Sequence, residues 1–266
     1  MSNKNEQIMI PNFFTLLMEY NIPIEIKTDS KMNTFWRVEG FQKSGHADLY
    51  INGNYMECHT RYDTIDIIRN LEDLVKVNAL WGAVTYDRNR EFKKDDIVKT
   101  SEELDNMSII EILNYSKDTM DSNWFDLFNK EGENLKEYSS QEDSCLTFPQ
   151  DILDPVINEN IPVFLIERED GRWGYKIDNF YKSGHIDLFL EEGEFYAYDR
   201  YNKKEIINDL SDLIYLNIRW AEITQEKNRS MYNDFSEVMT DNWKDLAVHN
   251  GIMEAIEVKK TVYKLK

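Results

Sequence analysis

The chain has 266 residues, enough for one large domain or two small ones, and its 41% hydrophobic and 13% aromatic content is globular rather than disordered. Ten glycines and five prolines are too few for a collagen-like or low-complexity array. A formal charge of −19 argues against direct binding of nucleic-acid backbones or anionic lipid, and it suits a partner that is itself basic.

No run approaches the ~18 consecutive apolar residues of a membrane span. Residues 1–10 lack the apolar stretch and cleavage site of a secretory leader. Two cysteines, Cys58 and Cys145, stand at unrelated positions and read as free thiols, so a cytoplasmic location is expected.

The strongest signal is internal. Asn21–Arg90 aligns with Asn160–Arg229 without a gap, at a shift of 139 positions, and 22 of the 70 positions are identical. Ordinary residue usage would give roughly four or five. Beyond Arg90 the match resumes at Asn123-Trp124 with Asn242-Trp243, so the first copy carries an insertion expected over residues 92–113. The fold class predicted is α+β, a tandem duplication of a unit with a three- to four-stranded antiparallel meander packed by helices on one face. The units are expected at residues 1–132 and 148–266, with a polar, aperiodic linker at 133–147.

In chain order, a short helix is predicted over Phe13–Glu19, and over Ile152–Asn158 in the second copy, leading into an extended Asn-Ile-Pro segment. An alternating strand follows at Phe35–Phe41, or Gly174–Phe180. After the Lys-Ser-Gly turn a second strand runs over His46–Ile51, or His185–Leu190. Asn52-Gly53-Asn54 and Glu191-Glu192-Gly193-Glu194 read as tight hairpin turns into a third strand, Met56–Arg61 or Phe195–Arg200. A helix is then expected to begin at the isoleucine pair. Ile67, Ile68, Leu71, Leu74, Val75, Asn78 and Trp81 form one helical stripe, repeated by Ile206, Ile207, Leu210, Leu213, Ile214, Asn217 and Trp220. Asn78 and Asn217, set in that stripe, should bond a neighbouring backbone group.

Strand alternation places His46, Asp48 and Tyr50 on one face and Ala47, Leu49 and Ile51 on the other. With Lys43, Ser44 and Arg61 they make a candidate ligand-binding cluster, repeated by Lys182, Ser183, His185, Asp187 and Arg200. Lysine and arginine would supply charge, the turn amides a nest for an anion, and the His–Asp pair a proton-transfer couple. The structural alternative is that Gly45 supplies positive φ, Ser44 caps the turn, and Asp48 pairs with Arg61 across strands.

There is no zinc-like Cys/His spacing, phosphate-binding glycine loop or hydrolase motif, so neither a cofactor nor catalytic residues are expected. The preferred expectation is an acidic, non-enzymatic binding protein or inhibitor that engages a basic protein. The partner would be a nucleic-acid-binding enzyme or a toxin, and the chain a mimic of DNA charge acting in immunity or against host defence. An Asn-, Lys- and Ile-rich composition fits an AT-rich genome such as that of a phage or mobile element. One alternative is a small-ligand or nucleotide-binding protein with two equivalent sites at the repeated Lys-Ser-Gly-His and Arg-Tyr positions. A second is an oligomeric assembly module that uses exposed aromatics such as Tyr196 and Tyr198.

Overall fold

A computed structural model describes residues 5–31, 33–42, 45–52, 55–60, 65–93, 103–104, 106–132, 134–138, 142–182, 184–199, 203–256 and 262–265. The fold is mixed α+β, with seven α-helices among the described residues and antiparallel strand pairing. Two compact units are formed, one of residues 9–25 and 33–145 and the other of residues 1–8, 26–32 and 146–266.

The first unit holds α1 (Phe13–Glu19), the start of β2 (Ile24–Thr28), β3 (Thr34–Phe41), β4 (Gly45–Asn52), β5 (Tyr55–Thr60) and β6 (Ile65–Ile68). The strands run in the order β2-β3-β4-β5-β6. Helices α2 (Leu71–Lys93), α3 (Ile109–Ser116) and α4 (Ser122–Glu131) follow. The core joins Phe13, Phe14 and Leu17 of α1 to Trp36, Val38, Ala47, Leu49, Met56 and Cys58 from the strands. Leu71, Leu74 and Val75 of α2, with Trp124 and Leu127 of α4, complete it. Truncating a buried tryptophan such as Trp124 costs about 3–5 kcal/mol.

The second unit repeats that order with α5 (Gln150–Asn158), β8 (Val163–Glu167), β9 (Trp173–Ile177), β10 (Ile186–Glu191), β11 (Glu194–Tyr198), β12 (Lys204–Ile207), α6 (Leu210–Lys227) and α7 (Asp241–His249). Its strands run β12-β11-β10-β9-β8. The stretch read as a linker ends in a strand, β7 (Glu142–Pro149). Within this unit lies the start of β1 (Asn5–Pro11), where Gln7 Nε2 donates to Thr147 Oγ1 of β7 at 2.9 Å. A final hairpin joins β13 (Met253–Ile256) to β14 (Val262–Leu265).

Physical roles account for many of the identical residues. Asn21 and Asn160 take left-handed conformations, φ 53 and 55, and end α1 and α5. The following isoleucine N–H then donates back into the helix, Ile22 to Leu17 and Ile161 to Val156. Pro23 and Pro162 offer their carbonyls to the N–H groups of Glu39 and Asp178, each at 3.0 Å. Asn123 and Asn242, at the start of the last helix of each unit, donate to the carbonyls of Asn21 and Asn160. Beside them the indoles of Trp124 and Trp243 donate to Glu39 and Asp178.

Two expectations change. Ile67-Ile68 and Ile206-Ile207 are not the first turn of a helix; they lie in β6 and β12, so each meander has five strands. The pair satisfies a helical stripe and a strand equally, and β-branched residues favour the strand. The helices begin instead at Leu71 and Leu210. There Asn70 and Asp209 accept from the N–H groups of Asp73 and Asp212, and those aspartates accept from the N–H groups of Arg69 and Asn208. The expected insertion coincides in part with α3, whose Ser108 and Glu111 form a capping box. The second unit has only a 3-10 turn, Phe235–Glu237, ahead of its last helix.

Candidate functional site

In each unit the Lys-Ser-Gly sequence falls between β3 and β4 or between β9 and β10. Positive φ falls ahead of that sequence, at Gly40 and Gln42 in the first unit and at Asn179 and Tyr181 in the second. Gly45 is therefore not the left-handed residue. A side chain at Gly45 would collide with the Phe41 carbonyl oxygen, and one at Gly184 with that of Phe180, so close backbone approach is what requires glycine. Asn78 meets its expectation: its Oδ1 accepts from the Gln42 N–H at 2.9 Å and holds the left-handed turn. The Gln42 side chain in turn accepts from Thr85 Oγ1 at 2.8 Å. Asn217 is equally buried, yet neither polar atom of its amide has a hydrogen-bond partner among the described residues.

Five candidates, Lys43, Ser44, Arg61, Ser183 and Arg200, lie outside the described residues. Of the rest, His46 and Asp48 share the half-exposed face of β4 with Tyr50, and Ala47 and Leu49 are buried behind them. Ile51, expected inside, is 38% exposed. His46 stands opposite Glu39 in the register. Asp48 is taken by Arg37, its register partner on β3. Arg37 Nε donates to Oδ1 at 2.7 Å and the terminal nitrogen to Oδ2 at 2.9 Å. This two-point bond raises the Arg37 pKa above its ordinary value. The partner proposed from sequence, Arg61, is thus not the one the described structure shows. Phe35 stacks on Tyr50 at 4.9 Å, and Tyr50 meets His59 at 4.6 Å.

In the second unit the same positions differ. Lys176 replaces Arg37 opposite Asp187 and reaches Asp178 instead, at 3.2 Å. His185 Nε2 is 4.0 Å from Asp187 Oδ1, and that oxygen is buried with no hydrogen-bond partner among the described residues. Burial raises the Asp187 pKa above the usual carboxylate range, against the opposing pull of His185, Lys176 and Arg168. Lys182 points elsewhere, with its ammonium 5.4 Å from the centre of the Tyr232 ring.

A denser cluster, not evident from the repeat, surrounds Glu191 at the end of β10. Its carboxylate accepts from Tyr198 Oη at 2.6 Å and Lys204 Nζ at 2.6 Å. Arg172 and Arg168 lie at 2.8 and 3.4 Å. Lys204 and Tyr198 hold its pKa down to about 2. Arg168 also lies 5.0 Å from the centre of the Phe189 ring and 4.8 Å from that of Tyr198. Lys204 sits 3.6 Å over Tyr196. Tyr196 and Tyr198, expected to be exposed, are half-buried under these contacts. The missed residues sit in the turn between β8 and β9 and at the start of β12, where the two copies share no identity to mark them.

Among the described residues no group of three or more His, Cys, Asp or Glu side chains is placed to hold a metal, and no helix is long and apolar enough to cross a membrane. Cys58 is a buried free thiol whose pKa burial pushes up to about 12, which leaves it a poor nucleophile. No protein-family model, curated protein or solved structure matches the chain.

Proposed function

We propose that this protein is a non-enzymatic binding protein whose acidic surface engages a basic protein, of the kind that handles nucleic acid or acts as a toxin. We infer also that it arose by tandem duplication, because the unbroken sequence match and the shared order of elements run in parallel. The carrying observation is how the second unit disposes of its charges. Arg168, Arg172 and Lys204 converge on Glu191, Lys203 and Arg219 on Glu205, Lys176 on Asp178, and Lys244 on Asp241. Glu167, Glu169, Glu192, Glu222 and Asp245 are exposed in addition to these pairs. With these basic side chains paired to acids of their own unit, the chain's surplus of 50 acidic over 31 basic residues leaves a net negative charge to attract a partner. Such a surface attracts a basic groove over a Debye length of about 10 Å at 0.1 M salt.

The test is binding of the immobilised chain to purified basic nucleic-acid-binding proteins at low and high salt, with duplex DNA as competitor. The expected result is capture at low salt, lost in high salt and displaced by DNA. Absence of capture, or capture indifferent to salt, would overturn the proposal.

A further inference from the structure

We propose that Asp187 is the docking point for an arginine guanidinium of that basic partner, in a socket built like the first unit's own Arg37–Asp48 pair but left without its arginine. The inference rests on the function proposed above and adds to it one residue and one ligand chemistry.

The first unit supplies the template. Arg37 reaches across from β3 and meets Asp48 with two parallel N–H···O bonds of 2.7 and 2.9 Å, the geometry in which a planar guanidinium matches a carboxylate. In the second unit the register is preserved, with Lys176 opposite Asp187 as Arg37 is opposite Asp48. A lysine ammonium is a single point and cannot span both oxygens, and this one is drawn to Asp178. His185, at 4.0 Å, is too far for a hydrogen bond. Asp187 is left with Oδ1 unpartnered among the described residues, while its side chain keeps 33% exposure.

A buried acceptor without a donor is costly, and a donor supplied on binding recovers that cost. Among the described residues the other cation acting on Asp187, Arg168, is stacked against Phe189 and Tyr198 and paired with Glu191. An incoming guanidinium would meet the exposed part of the Asp187 side chain first and gain the buried Oδ1 only as the side chains around it, such as the 35% exposed Lys176, shift aside. Burial raises the Asp187 pKa even against the pull of His185, Lys176 and Arg168.

The test follows the Asp187 carboxyl resonance by carbon NMR in the full chain during titration with N-acetyl-arginine amide, and with the lysine analogue as comparison. The arginine probe should shift the resonance and lower the carboxyl's titration midpoint, and it should bind several-fold more tightly than the lysine probe. Lys176→Arg should fill the socket internally, lower the same midpoint without any probe, and weaken probe binding at least about tenfold. Asp187→Asn should weaken it as much, and Glu226→Gln, at an exposed helix position, should not.

Probe binding unchanged in Lys176→Arg or Asp187→Asn overturns the socket. So does a shift of the Asp187 midpoint in unliganded Arg200→Ala, which would mean that the chain's own arginine already fills it. If Asp187 ignores the probe while basic proteins are still captured at low salt, the socket falls and the acidic-surface function stands. If the probe binds as expected but no basic protein is captured, the wider function falls instead.

Discussion

The outer faces of the two meanders share a backbone and diverge in where their charged anchor sits. In the first unit the anchor is central, with Arg37 clamped on Asp48 between β3 and β4 and the Phe35–Tyr50 stack beside it. In the second it has moved to the β10–β11 hairpin, where Glu191 gathers Tyr198, Lys204, Arg172 and Arg168. The move is coupled to ring packing. Glycine at 174, in place of Phe35, makes room for the Phe189 ring, and Arg168 then stacks on that ring and comes within reach of Glu191. Relocating one anchor leaves the vacated carboxylate, Asp187, without a guanidinium. The same strand register thus carries a two-point ion pair in the first unit and, in the second, a carboxylate oxygen with no hydrogen-bond partner among the described residues.

The buried amides should break the symmetry most sharply. Asn78→Leu leaves the Gln42 N–H unpaired inside the protein and should cost about 2–3 kcal/mol. Asn217→Leu removes two buried polar atoms that have no partner among the described residues, and it should be neutral or stabilising. Denaturant midpoints of the two variants decide the matter, and equal losses would show that Asn217 has a partner equivalent to Gln42.

Gly174→Ala should cost somewhat less, about 1–2 kcal/mol. The new methyl would strike the Phe189 ring and stand 2.7 Å from the Leu188 carbonyl oxygen. Adding Phe189→Leu should return part of that loss. If the double variant is no more stable than Gly174→Ala alone, ring placement is not what fixes glycine there.

Much of the fold was legible because identical residues mark identical constraints. The Asn-Ile-Pro helix stops, the Asn-Trp pair and the Leu-x-x-Leu stripe each serve a bond or a core contact that the scaffold cannot lose. The isoleucine pairs misled because four residues fit either period, although the capping residues Asn70 and Asp209 stood just ahead of the true helix starts. The site was legible only in outline. His46, Asp48, His185 and Asp187 could be assigned to a face by alternation, but their partners depend on neighbouring strands. Arg37 and Lys176 became visible as partners only with the register. The Glu191 cluster left no trace in the repeat because it exists in one copy alone, and Asn52 holds the matching position in the other.

The smallest effect expected is a pH dependence that distinguishes the two anchors. Glu191 has its pKa lowered from 4.5 to about 2 by Lys204 and Tyr198. Its contribution to stability is therefore fully present above pH 4.5 and disappears as the pH falls through about 2. Measured as the difference in stability between the wild type and Glu191→Gln, the gap should be constant at neutral pH, narrow below pH 4.5 and close near pH 2. Asp187 has the opposite sign. Its pKa is raised by burial, so its contribution is present below the ordinary carboxylate range and is lost as the pH rises through the shifted value. Asp187→Asn should accordingly gain on the wild type as the pH rises above the ordinary carboxylate range, whereas Glu191→Gln loses ground earlier, as the pH rises from about 2 to 4.5. Two difference curves of the same slope would mean that Glu191 is not the anchor, and that the exchange of a central clamp for a hairpin clamp has no energetic consequence.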